Sequence, residues 1–145
     1  MIVSRSDQEF IRNFEAGTLP AKRFHHQEHV RVVWLYLLRY SVLETLAKFS
    51  ESLKRFAAAN GKVALYHETI SWAYVFLIHE RMARRAGEQT WAEFMETNSD
   101  LFDWQNNILK SYYEEVTLKS GLARQTFVLP DRLEKRDVDC HNTPA

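Results

Sequence analysis

The feature that most constrains the fold is an apolar stripe at helical spacing between two punctuation marks. Ser41-Val42-Leu43-Glu44 has the Ser-x-x-Glu pattern that caps a helix start. Leu43, Leu46, Phe49, Leu53, Phe56 and Ala57 then recur at steps of three and four, which puts one face inward. Asn60-Gly61 supplies residues that tolerate the left-handed backbone of a helix end. With only four glycines and three prolines in 145 residues, a turn-rich β fold is disfavoured and long helices are favoured. The hydrophobic fraction of 46% is enough for one core, so the expectation is an all-α, single-domain bundle of about five or six helices over 1–145.

The other helices are read in the same way. A short first helix is expected from Asp7 to Ala16, with Ser6 as its cap, Gly17 as its end and Phe10, Ile11 and Phe14 inward. The second is expected from about His25 to Tyr40, with His25, His29, Val32/Val33, Tyr36 and Tyr40 on the core side. The fourth is expected from about Tyr66 to Arg85, ending at Gly87, with Ile70, Tyr74 and Leu77/Ile78 on the side of His67. Arg81, Arg84 and Arg85 fall in its last turns, where cations complement the helix dipole. Thr90-Trp91-Ala92-Glu93 opens a short fifth helix to about Thr97. A sixth is expected from Trp104 to Lys119, with Ile108, Leu109, Tyr112 and Val116 inward. From about 122 the chain reads as less regular. Phe127 to Pro130 would pack as an extended segment, Asp131 to Asp137 is a solvated charged run, and 139–145 looks frayed.

Composition excludes several classes. The 19 basic residues balance the 19 acidic ones, so the basic excess of a nucleic-acid binder is missing. The longest apolar run, Val32 to Leu38, is too short to span a bilayer, so no membrane partner is expected. The single Cys140 permits no intrachain disulfide, and no signal-peptide pattern follows Met1; both fit a cytoplasmic protein.

Chemistry concentrates in Phe24-His25-His26-Gln27-Glu28-His29. His25 and His29 are four residues apart, so on a helix their rings lie one above the other and could share one metal ion. His67 opens another helix, and short connections would bring the starts of the second and fourth helices to the same end of the bundle. The expectation is a metal centre of His25, His29 and His67, taking zinc, iron, copper or nickel. Three protein ligands leave positions open for water or a small-molecule substrate, and Glu28 is the candidate base of a hydrolytic or oxidative enzyme. Glu68 and Ser71 are further candidates around the site. His26 is expected outside the coordination sphere and His79 at the surface, while Tyr36, Tyr66, Trp72 and Tyr74 could wall a pocket. The alternative is a non-catalytic helical binding or assembly module whose histidines are structural.

The same stretch satisfies H-x-x-E-H, the inverted zinc-protease pattern. That would imply His25 and His29 as ligands and Glu28 as base, but those enzymes are much larger and take a distant glutamate as third ligand. The chain as a whole resembles a group of small all-helical bacterial proteins of unknown function. The resemblance rests on Phe24-His25-His26 followed by His29, on Tyr66-His67-Glu68-Thr69-Ile70, and on Ala123-Arg124 with Phe127 and Pro130-Asp131. It implies a helical fold and no particular activity, and it leaves open whether His25 or His26 partners His29.

Overall fold

Strong local caps set most of the helix boundaries. The computed structural model describes residues 3–132; the charged run beyond Arg132, Cys140 and the 139–145 tail lie outside the described residues. Ser4 caps α1 (Arg5–Ala16), its hydroxyl accepting the Asp7 amide, two residues before the serine the sequence suggests. Gly17 ends that helix at φ 75°, where a left-handed residue is needed and Ala59 would lie 3.3 Å from a Cβ. The second helix, α2 (His26–Leu37), starts one residue later than its periodicity suggests, because His25 is its extended N-cap. Ser41 and Glu44 form the capping box of α3 (Val42–Ala59). His67 caps α4 (Glu68–Arg84), and Thr90 with Glu93 caps α5 (Trp91–Thr97). Two short helices follow, α6 (Glu115–Leu118) and α7 (Gly121–Gln125), and there is no strand among the described residues. The fold is all-α.

One apolar core joins these helices. The central helix α2 is buried around nearly its whole circumference from Val30 to Tyr36, so its amphipathic pattern is weak. It packs on both α3 and α4, α1 packs on α3, and α7 packs on α4. Phe14, Phe24, Phe49 and Phe56 form one aromatic knot between α1, α3 and the connection that leads into α2, with Phe14 and Phe24 stacked at 4.8 Å. The stripe on α3 buries Leu46, Phe49, Leu53, Phe56 and Ala57 as expected, but Leu43 in its first turn is 74% exposed.

The long sixth helix expected from Trp104 to Lys119 does not form. Asp103 takes the Asn106 amide and Asn107 takes the Leu109 amide, which are turn-making bonds that compete with a helix. The chain makes only a 3-10 turn at Ile108–Ser111 before Glu114 is drawn aside, its amide donating to Asp131 at 2.9 Å. Val116 is therefore exposed, and the inward aromatic is Tyr113, whose hydroxyl donates to the Val128 carbonyl at 2.6 Å. In the segment from 126 to 132, the Thr69 hydroxyl on α4 donates to Thr126 O and accepts the Val128 amide, and Phe127 stacks on Trp72 at 5.7 Å. That extended packing agrees with the sequence reading. Asp131 is not merely solvated, because it also accepts from the Thr117 hydroxyl.

Candidate functional site

A cleft of about 580 Å³ opens where the starts of α2 and α4 meet the side of α3. Its floor is aliphatic and aromatic, including Val33, Phe49, Phe56 and Ile70. His25, His26, His29 and His67 all border it, and each is held differently.

His29 lies one turn into α2. Its ring sits against Phe24, centroid to centroid 4.3 Å, and edge-on to Phe49 at 6.4 Å. Neither ring nitrogen has a hydrogen-bond partner among the described residues. Burial, together with the nearby His26 and His25, holds its pKa down to about 3. The ring is surrounded on most sides yet keeps some accessible surface, and it borders the cleft. A neutral imidazole there presents one N–H and one lone pair, both unclaimed by the fold.

His67 is the opposite case. As N-cap of α4 its Nδ1 accepts the Ile70 amide at 3.1 Å, so Nε2 must carry the proton. That Nε2–H donates to the Leu118 carbonyl at 2.7 Å. Both nitrogens are thus engaged and the tautomer is fixed. Burial lowers its pKa, with the Arg124 charge acting in the same direction.

His26 also borders the cleft. Its Nε2 is 2.8 Å from the Leu101 carbonyl, and its ring packs between Tyr74 at 4.8 Å and Trp104 at 4.9 Å. Burial lowers its pKa, partly offset by the Leu101 bond. His25 is exposed at the rim, with Nδ1 3.5 Å from Glu28 Oε1. Glu28 does not border the cleft; its carboxylate accepts the His25 amide at 2.8 Å and so serves the start of α2. Ser71 borders the cleft, but its hydroxyl donates to the His67 carbonyl. Glu68 accepts from the Tyr66 hydroxyl. His79 is exposed.

Among the described residues, no three His, Cys, Asp or Glu side chains are grouped so that they could hold one metal ion. The expected ligands share the cleft without converging: His67 is committed to a cap and a carbonyl, and His25 faces solvent.

Three residues at the site fell outside the sequence-based reading. Trp104 and Arg124 border the cleft from the irregular segment after α5 and from α7, and Lys62 borders it from the loop after α3. Ser120-Gly121 looks like a helix stop, whereas Ser120 is the N-cap that opens α7 and so sets Arg124. Tyr74, among the expected pocket walls, is buried with a hydroxyl that has no hydrogen-bond partner among the described residues. Tyr36 and Trp72 do not border the cleft: the Tyr36 hydroxyl goes to Glu15, and the Trp72 indole goes to Ser50.

Fold and site together define a small helical bundle with an apolar cleft rimmed by histidines. No protein-family model, no curated protein and no solved structure matches the chain. Among the described residues no helix is long and apolar enough to cross a membrane.

Proposed function

We propose that this cleft is the working site and that it holds a small organic molecule with an apolar body. The observation that carries the reading is the enclosed His29 ring with neither nitrogen hydrogen-bonded, beside a cleft of small-molecule size. An imidazole on a cavity wall whose nitrogens no side chain or backbone group of the described residues claims offers a donor and an acceptor that a ligand in the cleft can meet. The Tyr74 hydroxyl, which is buried and has no hydrogen-bond partner among the described residues, supports the same conclusion. His29 remains neutral near pH 7, which suits it to orient a ligand by hydrogen bonding rather than to act as a strong base. The protein is on this reading a small-molecule binding module.

The test is calorimetric titration with 2-naphthol, a neutral aromatic with one hydroxyl. Saturable one-to-one binding is expected, reduced at least tenfold in His29→Phe and abolished by Ala57→Trp, which fills the cleft. No binding, or binding indifferent to both changes, removes the reading.

A second reading is a metal-dependent enzyme, hydrolytic or oxidative, with His25, His29 and His67 as ligands to zinc, iron, copper or nickel and Glu28 as base. It is favoured by one observation: three of the bordering histidines belong to the start of α2, and His29 has both nitrogens free. It requires His67 to surrender either its cap or its bond to Leu118, and His25 to turn inward. Metal analysis of the purified protein decides. A stoichiometric metal lost in both His25→Ala and His67→Ala supports this reading; folded protein that takes up none of the four metals removes it.

A further inference from the structure

Resting on the small-molecule reading, we infer that the ligand is an organic anion of low charge, a monocarboxylate on an aromatic or aliphatic body, whose head is met by Lys62 and Arg124. The charge pattern around the cleft carries this. Among the described residues no aspartate or glutamate borders it, whereas Lys62 and Arg124 both do. The nearest acids by sequence are already occupied, Glu28 by the His25 amide, Glu68 by the Tyr66 hydroxyl and Asp103, which lies on the Tyr74 side away from the two cations' loop, by the Asn106 amide. Neither cation has a carboxylate partner among the described residues, so both charges are available to a ligand.

Arg124 is also positioned. One of its N–H groups donates to the Ala64 carbonyl at 3.0 Å, so the guanidinium of α7 is held against the same α3–α4 connection that carries Lys62. That single bond leaves further donors in a planar fork suited to a carboxylate. Deeper in, the Tyr74 hydroxyl is buried and unpartnered and can take a second polar group of the ligand. The mainly apolar floor favours a single charge at the rim over a dianion, since each added charge raises the desolvation cost.

The experiment compares 2-naphthoate with 2-naphthamide, equal in shape and different in charge, by calorimetry on the intact chain. Naphthoate is expected to bind at least tenfold more tightly. Lys62→Gln and Arg124→Gln should each weaken naphthoate about tenfold and leave naphthamide within a factor of two. Circular dichroism confirms that the helices persist, and Lys62→Gln, which breaks no hydrogen bond of the fold, keeps the test open if Arg124→Gln unfolds. Equal affinity for the two compounds, or affinity unmoved by Lys62→Gln, overturns the anion inference while naphthamide binding leaves the cleft reading standing. If naphthoate, naphthamide and 2-naphthol all fail to bind, both fall together.

Discussion

The imidazole of His67 joins the start of α4 to Leu118, 51 residues later, through an Nε2–H bond of 2.7 Å to the carbonyl. The same ring caps α4 through Nδ1. One residue therefore fixes a helix start and anchors the segment that leads to Arg124. His67→Ala removes the cap and leaves a part-buried carbonyl short of a donor, at a cost of about 1–3 kcal/mol. His67→Asn restores a good cap but is too short to reach Leu118, so it should lose roughly half as much. Urea denaturation of the three proteins measures this. Equal stability of His67→Ala and the parent would mean that neither bond contributes.

Acid should destabilise the fold earlier than carboxylate titration alone explains. His26, His29 and His67 all have lowered pKa values, His29 to about 3, with burial the first cause in each. The unfolded chain takes up these protons near pH 6.5, and the native chain resists them. Stability is therefore complete above pH 6.5 and falls as pH drops, down to about 3 for His29. For His29 the slope is about 1.4 kcal/mol per pH unit between those limits, and His26 and His67 act in the same direction. Denaturant titrations at pH 7, 6 and 5 should show the decline, and His29→Phe should flatten it. A stability constant from pH 7 to 5 would contradict the burial of these rings.

Thr69 makes a related point about the C-terminal segment. Its hydroxyl is buried on α4 and serves two backbone groups, donating to Thr126 O at 2.7 Å and accepting from Val128 N at 3.0 Å. Thr69→Val keeps the shape and strands both partners, so a loss of about 2 kcal/mol is expected. Thr69→Ser keeps the hydroxyl and should recover more than half. Amide exchange at Val128 reports the local effect: faster in the valine variant and near normal in the serine variant.

The residues that made these features legible in the sequence were those governed by local rules. Ser41 with Glu44, Thr90 with Glu93, and Gly17 fall where capping chemistry and left-handed backbone require them, so the helices they bound could be read from neighbours three or four places away. The all-α class followed from the same periodicity, and the short connections between helices are what bring His25, His29 and His67 to one end of the bundle. What could not be read was set by distant partners. The Trp104–Lys119 stretch has helical spacing, yet Asp131 captures the Glu114 amide from 17 residues away and breaks it. His67 has the residue type of a metal ligand, but the Leu118 carbonyl, invisible to any local pattern, accepts the hydrogen bond from its Nε2–H. Arg124 reaches the cleft only because Ser120 caps α7 and Ala64 accepts its guanidinium. Side-chain identity gave the candidates, and long-range hydrogen bonds decided their roles.

Two buried hydroxyls separate stability from function. Thr45 Oγ1 and the Tyr74 hydroxyl are both buried without a partner, but only Tyr74 borders the cleft. A buried unsatisfied hydroxyl costs about 1–3 kcal/mol, so removing it without changing shape should stabilise the protein. Thr45→Val and Tyr74→Phe are each expected to raise unfolding free energy by about 1 kcal/mol. They should part in binding. Thr45 is an ordinary unsatisfied position on α3, and its change should leave naphthoate affinity alone. Tyr74 carries an unmet polar group at the wall of the site, and natural proteins keep such groups where function needs them. Tyr74→Phe should therefore weaken 2-naphthol or a hydroxynaphthoate several-fold, the ligand hydroxyl losing its partner, while the parent naphthoate changes little. Denaturation and calorimetry on the same two variants check both halves. A Tyr74→Phe protein that is more stable and binds hydroxynaphthoate unchanged would reduce Tyr74 to a packing residue and remove it from the site.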